Sequence, residues 1–338
     1  MSRTSILFII ISAATAALFI ADMLVGSVAL PAGDVWNALL GRTVGTAGAD
    51  YIVLNFRLPK AITALLAGAA LSAVGLQMQT LFRNPLAGPY VLGVSSGASL
   101  GVALFTLGLP LLGISAAGTW WGNLGVVGAA WLGSALILLV ILAVTRRIKD
   151  IMAVLILGMM FGSAATAFVE IMQYLSPEGA LKSFVVWTMG SLGGVSLGQM
   201  GIIVPAVAIG LAISVGLIKP LNMLLLGENY ARTMGLKIRG TRTAIFISTI
   251  LLAGTIAAFC GPISFIGLAV PHIVRMIYAE ADHRVLMPAS MITGAGIMLL
   301  CDIVSQLPSA DMTLPINTIT SLIGIPVVII VIIRYRKS

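Results

Sequence analysis

Ten long apolar runs recur along the chain, and they constrain its fold more than any other feature. They cover residues 5–29, 61–82, 91–110, 123–145, 151–173, 195–218, 241–260, 263–279, 286–306 and 315–333. A helix needs about 20 apolar residues to cross a bilayer, and most of the runs approach or exceed that length. Only 9% of the 338 residues are charged, whereas a soluble domain carries about 25%. We therefore predict an all-α membrane protein with ten transmembrane helices.

The basic residues sort to one side of the predicted bundle. With ten spans, both termini fall on the same side, together with fifteen of the 19 lysines and arginines. The other side receives the remaining four, which are Arg42, Arg57, Lys60 and Lys182. Because cytoplasmic loops carry an excess of Lys and Arg, we predict that both termini are cytoplasmic. The same sorting accounts for the net charge of +8 without nucleic-acid binding.

Two segments between the spans have a structure of their own in this scheme. Residues 174–194 lie outside and contain a short apolar stretch, 184–189, which predicts a surface or re-entrant helix. Residues 219–242 form the longest polar cytoplasmic segment, and within it Gly227 and Gly235 bound a short amphipathic helix. No stretch has the composition of a soluble domain, so residues 1–338 are predicted to form a single transmembrane domain.

Several polar and helix-breaking residues fall where the predicted spans should be apolar. Such residues must face other protein or a cavity, because lipid offers them no hydrogen bonds. A substrate pathway is one such environment, and the first residues of the fifth span could form an inner gate by their position. The resulting candidates for a pathway or gate are Gln77, Gln79, Asn84, Pro85, Ser95, Ser96, Ile151 and Met152.

Four titratable residues admit a functional and a structural interpretation. Glu170 and Asp302 lie in or near spans and could couple transport to protons, but helix packing or a place at the outer mouth is the favoured interpretation. His272 could bind haem iron, yet a hydrogen-bonded structural histidine is favoured. His283 is interpreted as a residue that orders a short inner loop, and two histidines this far apart predict no metal site.

Residue sets that would support catalysis are missing from the sequence. There is no G-x-x-x-x-G-K-[ST] motif to cradle ATP phosphates and no Ser/His/Asp set or HExxH motif. The two cysteines, Cys260 and Cys301, lie inside apolar runs and are interpreted as small buried side chains. The chain is therefore predicted to be no enzyme and to hold no cofactor of its own.

Five motifs occur in a fixed order along most of the chain. They are R-L-P-K at 57–60, N-P-L-A-G-P-Y-V-L-G-V-S-S-G-A at 84–98, G-P-I-S-F-I-G-L-A-V-P-H-I-V-R at 261–275, D-H-R-V-L-M-P at 282–288 and L-P-I-N-T-I-T-S-L-I-G-I-P at 314–326. In this order they resemble the iron-chelate and cobalamin permease family, the membrane subunits of type II ATP-binding-cassette importers.

The resemblance implies an assembly in which this chain is one part. It implies a homodimer with an axial translocation pathway, in which spans two to five and seven to ten of each subunit are inverted repeats. Two ATPase subunits, which hold ATP and Mg²⁺, would bind at the inner face, and a substrate-binding protein would dock outside. The cargo would be a ferric siderophore first, haem second and cobalamin third, carried across the cytoplasmic (inner) membrane. A proton-coupled secondary transporter is the alternative.

The resemblance also assigns roles to particular residues. The cytoplasmic segment resembles the family's coupling helix, which sits in a cleft of the ATPase, although an ordinary loop helix is the alternative. The coupling residues would be Gly227, Glu228, Tyr230, Ala231, Arg232 and Gly235. Arg57 and Lys60 match basic positions that receive acidic residues of the binding protein, with interfacial anchoring as the alternative. Gln306 stands where cobalamin-type members tend to carry an arginine, which weakens the cobalamin assignment.

Overall fold

The described part of the protein is entirely helical. The computed structural model describes residues 2–111, 120–145, 148, 150–307 and 313–335, and these contain no β-strand. The helices are α1 (Arg3–Leu24), α2 (Ala32–Leu39), α3 (Ala49–Phe82), α4 (Val94–Gly108), α5 (Trp120–Thr145), α6 (Ile151–Leu175), α7 (Glu178–Met189), α8 (Leu197–Gly216), α9 (Ile218–Leu225), α10 (Glu228–Thr233), α11 (Ile238–Cys260), α12 (Ile266–Tyr278), α13 (His283–Gln306) and α14 (Ile316–Tyr335).

Ten of these helices match the ten predicted spans. Seven are long and apolar enough to cross a membrane, namely α1, α3, α5, α6, α8, α11 and α13. Three shorter apolar helices, α4, α12 and α14, supply the rest of the ten within the described residues. The predicted all-α membrane fold is thereby confirmed, and the terms outer and inner below follow the topology predicted from the charges.

Local sequence fixes where several helices begin. Ser196 and Gln199 form a reciprocal capping box at the start of α8. Asp150 accepts a hydrogen bond from the Met152 N–H at 2.9 Å to open α6, and Asp282 does the same for α13. Such caps satisfy amide groups that have no partner inside the helix, so these polar residues define the ends of the apolar helices.

Helix α3 forms the centre of the bundle, and glycines allow its neighbours to approach. A Cβ atom added at Gly75 would lie 1.6 Å from the carbonyl oxygen of Gly267 in α12, and one at Gly68 would lie 2.1 Å from the carbonyl oxygen of Gly294 in α13. Small residues let helix backbones come together where lipid provides no hydrophobic driving force. Helix α3 is accordingly buried along most of its length.

The arrangement of helices follows the predicted inverted repeats. Exchanging the two repeats would exchange α3 with α11 and α5 with α13. In the structure α3 packs on α13, and α11 packs on α5. The two short helices α4 and α12 occupy corresponding positions in the two repeats. Each follows an irregular segment that contains a residue in left-handed conformation, Gly93 (φ 74°) or Phe265 (φ 67°). Interrupted helices at corresponding positions of two repeats are typical of transporters.

Candidate functional site

A cavity of about 580 Å³ opens at the outer end of the bundle. Residues after α1, the first part of α3, the end of α7 and the facing ends of α13 and α14 line it. Both predicted docking residues, Arg57 and Lys60, are in its wall. In this cavity Arg57 and Lys60 lie close to the end of α13, although about 240 residues separate them from it in the sequence.

Backbone carbonyls hold the Arg57 side chain in place at the outer end of the bundle. Its side chain is only 4% exposed. Nη1 donates to the carbonyl oxygens of Met23 at 2.8 Å and Leu24 at 3.0 Å, and Nη2 donates to the carbonyl of Val28. The carbonyls of Met23 and Leu24 belong to the last turn of α1, where the helix leaves acceptors without partners, and Val28 follows in the loop. Arg57 thus closes the end of α1, and its docking role stays a prediction.

Lys60 belongs to a buried polar cluster, which we call the outer cluster and define as Asp22, Lys60, Asp302 and Gln306. Lys60 Nζ lies 2.9 Å from Asp302 Oδ2. Gln306 Nε2 donates to Asp302 Oδ2 at 3.0 Å and to Asp22 Oδ1 at 3.3 Å. The cluster joins α1, α3 and α13. It supports the packing interpretation of Asp302 over proton coupling, and the docking role of Lys60 stays a prediction.

A second cavity, of about 530 Å³, lies between α6 and the irregular segment before α4. We call it the α6 groove. Its lining residues are Tyr90, Gly93, Ser96, Gly158, Met159, Gly162, Ser163, Thr166, Ala167 and Glu170. Of the predicted pathway residues, Ser96 lines this groove, and its neighbour Ser95 is half-buried without lining it.

Gln77 and Gln79 line neither of these two cavities. Gln77 is fully buried, and its Nε2 lies 3.4 Å from Ser248 Oγ in α11. Gln79 Oε1 accepts a hydrogen bond of 2.6 Å from Arg275 Nη1 in α12. Both amides therefore connect α3 to neighbouring helices, and their role in a pathway stays a prediction. Sequence reasoning allowed this outcome, since polar residues at membrane depth face either protein or a cavity.

Asn84 and Pro85 form the turn after α3. Asn84 Oδ1 accepts the Leu86 N–H at 2.9 Å. The Pro85 carbonyl accepts a hydrogen bond of 2.7 Å from His272 Nε2. Because that ring nitrogen has a backbone partner, the structure favours the structural interpretation of His272. Farther along the same segment, the Tyr90 hydroxyl accepts the Ile263 N–H at 3.1 Å, so the two irregular segments of the repeats touch.

The start of α6 was predicted as an inner gate. Met152 is 46% exposed there. The side chain of Ile151 lies outside the described residues. The gate stays a prediction.

The inner segment has the short helix expected between Gly227 and Gly235. That helix is α10, and both glycines have positive φ, 111° and 86°, where a side chain would be strained. Glu228 Oε1 lies 2.5 Å from Arg242 Nη2 in α11, which fixes α10 on the bundle. Ala231, on the side of α10 that faces the bundle, is buried.

The opposite side of α10 is open. Tyr230 is 58% exposed, and Arg232 is exposed as well. An exposed aromatic residue next to an arginine is typical of a protein interface. The coupling role of this helix stays a prediction that its exposure supports.

An inner hydrogen-bond network was missed by sequence reasoning. The ring nitrogens of His283 lie 2.8 Å from Thr80 Oγ1 and 2.8 Å from Asn222 Oδ1. Asn222 Nδ2 also donates to Asp282 Oδ1 at 2.5 Å. The backbone N–H of Arg284 and then this amide hold the pKa of Asp282 below its usual value. The expected loop-ordering role of His283 is supported, but its partners are too distant in sequence to be read from a pattern.

A helical membrane bundle with interrupted helices at corresponding positions of two repeats is typical of membrane transporters. The chain belongs to the FecCD transport family, whose profile matches residues 14–334. It is similar to the vitamin B12 import system permease proteins BtuC of Shigella boydii and Salmonella newport, with 36% identity over 308 residues. Each alignment covers 91% of this chain and 91% of the relative. Because these relatives are transport permeases, the chain is a permease and not an enzyme.

Solved structures agree with the family. The chain is similar to a protein described as a metal-chelate type ABC transporter in an inward-facing conformation, with a TM-score of 0.81 and 27% identity. That match covers 98% of this chain and 99% of the other. PsaBC from Streptococcus pneumoniae, solved in complex with Fab, matches at a TM-score of 0.54 and 17% identity over 81% of this chain and 90% of its own. At that identity the second match shows the fold alone.

Proposed function

We propose that this chain is the membrane-spanning permease subunit of an ATP-binding-cassette importer for a metal chelate. The family match over residues 14–334 is the observation that carries the proposal. In this function the bundle supplies the conduit, and the energy comes from ATP bound with Mg²⁺ on separate subunits. The chain itself then needs no cofactor.

Cobalamin is the cargo that the relatives favour. The BtuC proteins import vitamin B12 by name, and they align with 91% of this chain. This reverses the order expected from the motifs, in which ferric siderophore and haem came first. The neutral Gln306 is compatible with the change, because its amide is engaged with Asp22 and Asp302 inside the outer cluster.

The proposed assembly contains two copies of this chain, two ATPase subunits and one substrate-binding protein. The exposed side of α10 would contact the ATPase, and the outer cavity would face the binding protein. The complex would lie in the inner membrane, with both termini cytoplasmic. Helices α1, α6, α8 and α14 would contact lipid with those of their faces that no partner covers.

A proton-coupled secondary transporter is less well supported. Asp302, one of the two acids that such a mechanism would use, is ion-paired with Lys60. Glu170 is exposed, and no hydrogen-bond or ion-pair partner of it occurs within the described residues.

Reconstitution distinguishes the two functions. The chain is placed in proteoliposomes with its ATPase and cobalamin-loaded binding protein, and uptake is measured with ATP, with a non-hydrolysable analogue, and with a proton gradient alone. We expect uptake only with ATP and all three components. Uptake by the lone chain driven by the proton gradient would refute the proposal.

A further inference from the structure

One face of α6 carries a row of polar side chains. Ser163, Thr166 and Glu170 follow each other at spacings of three and four residues, which places them on the same side of a helix. All three are exposed and line the α6 groove. Opposite them lie Ser96 and Tyr90, so the row faces the irregular segment before α4.

This row does not suit a surface that faces lipid. Glu170 lies five residues before the end of α6, about 8 Å along the helix axis at 1.5 Å per residue. A carboxylate that faces hydrocarbon is costly and requires water, protein or a ligand. The buried acids Asp22 and Asp302 meet this need inside the outer cluster. Within the described residues Glu170 has no such partner.

The one charged side chain among the lining residues, Glu170, is a hydrogen-bond acceptor. A carboxylate accepts only. The Thr166 hydroxyl donates to the Gly162 carbonyl at 3.0 Å, which leaves its lone pairs for the groove. The rest of the lining includes Gly93, Gly158 and Ala167, so little side-chain bulk stands between the acceptors and a large ligand.

We propose that the α6 groove lines the pathway and that Glu170, assisted by Ser163 and Thr166, selects cargo whose periphery donates hydrogen bonds. A corrinoid, whose rim carries carboxamide N–H groups, fits this wall. Haem, which presents carboxylates, and anionic ferric catecholates meet like charge. The inference rests on the proposed importer function, and it names Glu170 as the residue that determines which class of cargo is accepted.

The first test uses the complete importer in proteoliposomes with cyanocobalamin as cargo. Glu170→Gln and Glu170→Lys are compared with Glu178→Gln, a matched exposed acid at the start of α7 that lies outside the groove. We expect corrinoid uptake to fall about tenfold for Glu170→Gln, the factor expected when a hydrogen bond to a charged group is lost. Glu170→Lys should fall further, and Glu178→Gln should match wild type.

ATP hydrolysis stimulated by the loaded binding protein is measured in parallel. It should stay unchanged in the Glu170 variants, because docking and coupling lie elsewhere. Full corrinoid uptake by Glu170→Lys would overturn the selectivity proposal. If the wild-type importer took up an anionic chelate but not the corrinoid, the proposed cargo class would be refuted and the importer function would still hold. An absence of ATP-driven uptake of either kind would overturn both.

The second test asks whether Glu170 meets water. Glu170→Cys is treated with a charged, membrane-impermeant thiol reagent in liposomes, and the native Cys260 and Cys301 give little background because both are buried. We expect rapid labelling that cyanocobalamin with its binding protein slows. A thiol that stays unlabelled from both sides of the membrane would show that this face meets lipid or protein, and the proposal would be withdrawn.

Discussion

Removing the charge of Lys60 should destabilise the bundle more than removing the charge of Asp302. The two side chains are 14% and 6% exposed and lie 2.9 Å apart, so the pair is largely buried. Breaking a buried pair by removing one partner costs about 3–5 kcal/mol. Lys60→Met keeps most of the side-chain volume but leaves Asp302 and Asp22 close together with Gln306 as their shared donor. We expect a loss near the lower limit, about 3 kcal/mol, because Lys60 keeps some contact with water.

Asp302→Asn should cost less, about 1–2 kcal/mol, the scale of a lost charged hydrogen bond. The asparagine preserves the shape of the site and keeps an oxygen acceptor for Lys60, and Gln306 can still donate to Asp22. Replacing both partners, with Lys60→Met and Asp302→Leu, should recover most of the loss, because an apolar pair avoids the cost of burying charge.

The free energy of unfolding in mixed micelles, followed by tryptophan fluorescence, measures these differences. Lys182→Met serves as the control, since Lys182 is an exposed outer residue on α7 and should change stability by less than about 0.5 kcal/mol. The reasoning fails if Lys60→Met is as stable as this control. It also fails if the double variant loses the sum of the two single losses, because the partners would then be uncoupled.

Three further predictions concern other parts of the bundle. Gly75→Ala should cost more than about 3 kcal/mol and reduce the yield of monodisperse protein in size-exclusion chromatography, because the new Cβ would lie 1.6 Å from the Gly267 carbonyl oxygen. The same change at Gly33, which has open space, should be tolerated. Glu228→Gln should loosen α10 and reduce co-purification of the ATPase, and unchanged co-purification would argue against α10 as the contact. Asp282 has a lowered pKa, so the stability it gives the start of α13 is present above its usual value of 3.8 and is lost as pH falls through the lowered pKa. The protection factors of the amides at that helix start, which are corrected for the pH dependence of intrinsic exchange, should fall in acid for wild type. Asp282→Asn should show lower protection factors already at neutral pH and little further change in acid.

The number of spans could be predicted from the sequence because the signal is local. Each span carries its own apolar residues, and its length is set by the bilayer. The start of α3 shows the limit of this reasoning. Its predicted span begins at 61, whereas the helix begins at Ala49 and passes through a π-helical turn over Val53–Arg57 before Pro59. Polar residues and Pro59 precede residue 61, and the irregular turn lets the helix continue through them.

The partners of polar residues could not be predicted in the same way. Arg57 has the sequence context of a basic residue at a span end, which is equally typical of an anchor, a docking charge or a helix cap. Its acceptors are the carbonyls of Met23, Leu24 and Val28, about thirty positions earlier, and only the packing of α1 on α3 brings them together. The amide of Gln77 meets Ser248 from α11 for a similar reason.

The surroundings of Glu170 and Asp302 distinguish these two acids, which the sequence alone left as equal candidates for proton coupling. A carboxylate in a membrane helix requires a partner, and the partner identifies its role. Asp302 has Lys60 as a partner within this chain, so its charge holds helices together and its removal should appear in stability. Glu170 has no partner within the described residues and faces a groove, so its removal should appear in cargo uptake with stability little changed. Measuring both properties on both residues therefore tests the structural and the transport argument together, because an exchange of the two outcomes would refute both assignments.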